Sequence, residues 1–150
     1  MRMSVPTWDW SYDNQAGWTL EAGDPHIEER RYRSGGLLRP WNPTRRARIG
    51  GAYSLHVFCA QWHIEQKRKR VVSSRSDATN IRRWFARLDG IWLRTLTFHR
   101  QGWVRAATFE EGYRLVVVPY AFARDDPDCI ANWLTWDPDD PASRAVDGRG

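Results

Sequence analysis

The residues whose types and spacing could do chemistry are concentrated in SLHVFCAQWHIEQKRKR. There His56, Cys59 and His63 fall within eight residues and run directly into Lys67, Arg68, Lys69 and Arg70. Two imidazoles and a thiol invite a metal, but the spacing argues against a shared ion. On a strand, His56 and His63 point to opposite faces, and Cys59 and His63 share a face about 13 Å apart at about 3.3 Å per residue. On a helix, His56 and His63 are separated by about 10.5 Å at about 1.5 Å per residue. Zinc needs donors about 2.0 to 2.3 Å away, so no regular element brings all three onto one ion.

Covalent catalysis fares no better. A nucleophile needs a base and an orienting group, and Cys59 with His63 or His99 is the nearest pairing. Neither a GxSxG elbow nor a glycine-rich phosphate loop occurs. Glu110 and Glu111 sit in a hairpin turn, where solvated carboxylates are common. Asp125, Asp126 and Asp128 read as the start of a helix rather than as a nuclease centre. The sequence points to no catalytic residue, no metal ligand set and no cofactor.

What remains is charge. Residues 1–29 carry one basic and six acidic side chains, a net of −5. Residues 30–124 carry 20 basic and 5 acidic, a net of +15, and residues 125–150 carry 2 and 7, a net of −5. A basic centre between acidic ends attracts phosphate polyanions or an acidic protein surface. The arginines interleave with aromatics in RPW, RRWF, IWLR, FHR and GWVR, a pattern in which guanidinium groups hold phosphates and rings stack on bases.

The elements that must position these groups follow from periodicity. SDATNIRRWFARLDG predicts a basic amphipathic helix over 77–89, capped by Ser76 or Asp77 and ended by Gly90. Ile81, Trp84, Phe85 and Leu88 repeat at i, i+3, i+4 and i+7, which places Arg82, Arg83 and Arg87 on the opposite side. IWLRTLTF, WVRAATF and YRLVVVPYAF predict a three-stranded antiparallel meander over 91–122, its last strand central or covered on both faces, with Pro119 marking a bulge or edge. Residues 52–65 read as a further strand with a bulge near Phe58. DDPDCIANWLTW, with aspartates at its start, predicts a short C-terminal helix near 128–135.

The fold class expected is therefore α+β: an antiparallel sheet packed with two helices. One compact domain over 1–136 includes a loop-rich N-terminal arm (1–49) pinned by Trp8, Trp10, Trp18 and Trp41, because AGDP, SGGLLRP and WNP punctuate it. An acidic tail over 137–150 is too poor in apolar residues to fold. No apolar run reaches the roughly 18 residues of a membrane span, and the N-terminus lacks a signal peptide, so the chain reads as cytoplasmic with no membrane partner. Isolated Cys59 and Cys129 form no disulfide framework.

The functional expectation is a small basic binding protein rather than an enzyme. It engages nucleic acid or a nucleoprotein through Lys67, Arg68, Lys69, Arg70, Arg82, Arg83 and Arg87. The alternatives are an accessory or inhibitor protein that binds an acidic protein partner, and a small hydrolase or nuclease using His56, His63 or His99 with an acid.

Overall fold

The computed structural model describes residues 1–13, 17–31, 45–121, 131–139 and 144–146. Ten strands run in chain order with one helix among them: β1 Arg2–Asp13, β2 Gly17–Arg31, β3 Arg45–Phe58, β4 Ala60–Gln66, β5 Lys69–Ser73, α1 Ala78–Leu88, β6 Trp92–Phe98, β7 Val104–Phe109, β8 Tyr113–Pro119, β9 Asn132–Trp136 and β10 Arg144–Val146. The strands form one sheet in the order β10-β9-β3-β2-β1-β6-β7-β8-β4-β5, every neighbouring pair antiparallel.

The sheet folds over on itself at two corners, each made by a chain segment that changes partners. The first half of β1 pairs with β6 (Val5 opposite Leu93), and the second half pairs with β2 (Tyr12 opposite Trp18). The irregularity between Trp8 and Ser11, with Asp9 at φ 50°, accompanies the change. At the other corner β3 leaves β2 and passes at once into β4, which pairs with β8; the pivot is Cys59, at φ 50°. Strands that switch layers through bulges are how orthogonal β-sandwiches turn.

Between the layers lies an aromatic core. Trp18 on β2 meets Trp62 on β4 at 5.5 Å, and Trp10 on β1 meets Phe109 on β7 at 5.5 Å. Phe85 of α1 touches Trp10, Tyr12, Trp18 and Trp62, so the helix plugs the space between β1 and β5. Asp77 caps it, accepting from the Asn80 amide at 2.8 Å, and Ile81, Phe85 and Leu88 are its buried face.

The helix and the meander follow the sequence expectation, but the fold class does not. Among the described residues the molecule is mainly an antiparallel β structure with a single α-helix, not the α+β fold with two helices expected from the sequence. The helix expected near 128–135 is replaced over its second half by β9, which pairs with β3 (Leu55 opposite Trp133), while 128–130, including Cys129, lie outside the described residues. Trp133 is fully buried there, and joining the free edge of β3 outweighs any helix-start signal from the aspartates.

The loop-rich arm is likewise corrected. Residues 1–13 and 17–31 are strands, and the AGDP turn signal is a register shift between Ala22 and Pro25 inside β2, not a loop. Trp8, Trp10 and Trp18 lie on these strands, and Trp41 falls outside the described residues. The strand expected over 52–65 is two strands that share a corner at Cys59, one residue past the bulge expected at Phe58. β8 is central, between β7 and β4, but alternates: Leu115 and Val117 are buried and Val118 is exposed. Within the stretch expected as an acidic tail, 144–146 form β10 against β9. Among the described residues no helix is long and apolar enough to cross a membrane.

Candidate nucleic-acid interface

Lys67 and Arg68 are the two central residues of the turn joining β4 to β5, with Gln66 opposite Lys69. Both have positive φ, 49° and 70°, in a hairpin position that normally selects asparagine or glycine. The turn is fastened to the end of β7–β8: the Lys67 amide donates to the Gly112 carbonyl at 3.1 Å, and Gln66 Nε2 donates to the Glu111 carbonyl at 3.3 Å. Lys67, Arg68, Lys69 and Arg70 are all exposed.

The helix brings its own arginines alongside. Arg82, Arg83 and Arg87 are exposed, as the periodicity expects. Trp84 is half-buried rather than core: its ring meets Tyr113 at 6.4 Å on one side, and the Arg87 guanidinium lies over it at 4.6 Å. Tyr113 pairs with Gln66, beside Lys67. Contacts thus run from Arg87 through Trp84 and Tyr113 to the hairpin. Arg82 sits over the ring of Tyr12 at 5.7 Å.

Arg70 belongs to a second feature that sequence reasoning missed. On the outer face of β7, β8, β4 and β5, two depressions of about 330 and 560 Å³ lie side by side, with Val118 lining both. The smaller is lined by His63, Arg70 and Arg75 together with Gln61, Ser73 and Ser74. The larger is lined by His99, Arg100, Trp103 and Arg105. Neither has a carboxylate among its described lining residues. His99 stacks on Trp103 at 4.4 Å across the β6–β7 turn. The Trp103 indole N–H is buried and has no hydrogen-bond partner among the described residues. FHR and GWVR carried the signal for these residues, but only the register that sets Gln61 against Val118 joins them to Arg70.

Two nearby carboxylates have partners of their own. Glu65 is met by Arg114 at 3.5 Å and by His63 at 3.4 Å, and Glu110 is paired with Arg94.

The histidine and cysteine cluster does not converge. Among the described residues no group of three or more His, Cys, Asp or Glu side chains could hold a metal ion. His56 Nε2 lies 3.2 Å from Ser54 Oγ on β3, whereas His63 lies on β4 beyond the Cys59 corner. His63 has Nε2 against Glu65 and Nδ1 3.4 Å from an Arg70 nitrogen. With both ring nitrogens engaged, it has no lone pair free to act as a base.

No family model matches this chain, and no curated protein or solved structure matches it either.

Proposed function

We propose that this protein binds nucleic acid, alone or within a nucleoprotein, chiefly through phosphate contacts. The observation that carries the reading is the continuity of the basic surface around the β4–β5 hairpin. Arg70 joins a groove lined by Arg75, Arg100 and Arg105 with no carboxylate among its described lining residues, and the hairpin tip adjoins the helix ridge of Arg82, Arg83 and Arg87. Guanidinium groups in a depression hold phosphate oxygens, and the groove's ring pair, His99 on Trp103, offers a flat platform for a base.

Phosphate-dominated binding releases counterions, so it must weaken with salt. Affinity for a mixed-sequence oligonucleotide, read by fluorescence anisotropy, should fall steeply between low and physiological ionic strength. Arg82→Glu/Arg83→Glu/Arg87→Glu should reduce it by at least about 100-fold while the circular dichroism melt stays unchanged. Failure to bind any oligonucleotide at low salt would overturn the reading.

A second reading rests on Arg87 lying over Trp84, a pairing of the two residue types most enriched at protein hot spots. On that reading the surface meets an acidic protein, and a stoichiometric complex should survive nuclease treatment.

A further inference from the structure

Past Pro25 and Gly51, strands β2 and β3 leave the body together. The pairing of β1 with β2 reaches only Ala22 and that of β9 with β3 only Tyr53, yet β2 and β3 stay in register from His26 opposite Gly50 to Arg31 opposite Arg45. Ile27 and Ile49 are cross-strand partners with relative exposures of 73% and 63%. Apolar residues this exposed on a paired segment mean that, among the described residues, nothing covers the ribbon there.

The root of this ribbon is built stiffly. The Gly51 amide donates to Glu21 Oε2 at 2.9 Å, inside the protein. A β-carbon at position 51 would stand 2.5 Å from the Ala22 carbonyl oxygen, so the strands approach there as only glycine allows. The His26 ring stacks on Trp136 at 3.9 Å. The base of the ribbon is thus held by a buried carboxylate and a ring stack.

Its outer end is basic in an unusual register. Arg30 stands opposite Arg46 and Arg31 opposite Arg45, two like-charged pairs in succession, with Glu29 opposite Ala47 and Glu28 opposite Arg48 further inward. Directly opposed like charges disfavour strand pairing. Within the ribbon five arginines stand against two glutamates, Glu28 and Glu29, and from residue 30 to residue 64 the chain has no acidic residue, so the positive charge of the outer end is only partly offset. An external polyanion would offset the rest.

We propose that the ribbon of residues 26–31 and 45–50 enters the major groove of duplex DNA. This rests on the nucleic-acid reading above and adds to it the form of the ligand and a second contact. Width decides the groove: two strands about 4.8 Å apart with their side chains fit a channel about 12 Å wide and not one of about 6 Å. The major groove of duplex RNA is too narrow and deep for side chains to read, so DNA is the duplex selected. Arginine is the residue type that pairs with phosphates and guanine edges, and the isoleucine pair suits the thymine methyl group.

The full-length protein should be titrated with one mixed-sequence DNA duplex and the RNA duplex of the same sequence, with methylation of guanine N7 as a reporter of the major groove. The expected result is tighter binding to DNA and N7 protection at saturation. Arg30→Gln/Arg46→Gln should lose the protection and lower the slope of log affinity against log salt by about 2. Should that variant melt early, Arg31→Gln/Arg45→Gln serves in its place. The helix variant Arg82→Glu/Arg83→Glu/Arg87→Glu should bind more weakly yet still protect N7 when saturated. Fully reactive N7 in a saturated complex overturns the ribbon proposal and leaves the binding surface of the body standing, as does equal affinity for duplex RNA. Loss of a protein oligomer in the ribbon variant with DNA binding unchanged overturns it too, and makes the ribbon an assembly arm. No binding of any nucleic acid at low salt removes both readings.

Discussion

Thr7 sits where β1 changes partners, fully buried, and its hydroxyl has two jobs. It donates to the Ile91 carbonyl at 2.7 Å and accepts from the Trp10 indole N–H at 2.9 Å. Replacing it by the near-isosteric valine keeps the volume and leaves the Ile91 carbonyl its bond from the Thr7 amide at 2.9 Å, but strands the Trp10 indole N–H, and a buried unsatisfied polar group costs about 1–3 kcal/mol. Thr7→Val should therefore lower the unfolding free energy read from urea titration by that amount without altering the fold. Nothing in the sequence marks Thr7, because its role depends on a contact with Ile91, 84 positions away. The helix arginines were legible for the opposite reason. Ile81, Phe85 and Leu88 declare their face through spacing alone, and Arg82, Arg83 and Arg87 follow by subtraction. Trp84 was legible only in part, since a position on the margin of an apolar stripe can go either way.

Among the elements, the β4–β5 hairpin is the one whose local chemistry conflicts with its shape. Lys67 and Arg68 occupy left-handed conformations that cost a non-glycine residue about 1–2 kcal/mol. Lys67→Asn/Arg68→Gly should stabilise the protein by about 1 kcal/mol in a thermal melt and weaken oligonucleotide binding several-fold. Improved stability with unchanged affinity would show that the turn makes no contact with the ligand. This tension also explains which elements could be read in advance. The meander of β6, β7 and β8 carries short glycine-containing turns that agree with its strands. In β2, by contrast, the Ala-Gly-Asp-Pro signal marks a register shift in a strand that continues to Arg31. Five-residue β9 is too short to show a period, so the acidic run before it suggested a helix. The groove was illegible because Arg70, Arg75, Arg100 and Arg105 come from separate elements that only the strand order brings together.

At the scale of the whole molecule, the charge layout of the sequence acquires a geometry. β9 runs alongside β3 and ends at Trp136, stacked on His26 at the root of the basic ribbon. The chain then continues into exposed Asp137 and Asp139. If the ribbon binds a polyanion, acidic residues delivered to that position would compete with it and lower its apparent affinity. Asp137→Asn/Asp139→Asn should tighten DNA binding about two- to tenfold at low salt, with the gain shrinking as salt rises. Anisotropy titrations at two ionic strengths measure both effects, and an unchanged affinity would exclude this competition.

The seam at β1 also sets a clock. Its first half is bonded to β6, with the Met1 ammonium donating to the Leu96 carbonyl across 95 residues. Synthesis at about 5–20 residues per second separates these partners by about 5–20 s. During that interval β1, β2 and β3 can pair, but the edge of β1 awaiting β6 stays open with Met3 and Val5 on it. Such an edge is a template for pairing with other chains until β6 arrives. With its central strand completed only by a distant partner, refolding from denaturant should be slow, in the range of about milliseconds to seconds typical of non-local β topologies, as stopped-flow tryptophan fluorescence would record. The strand that holds the two layers together is thus also the one that leaves the nascent chain exposed longest.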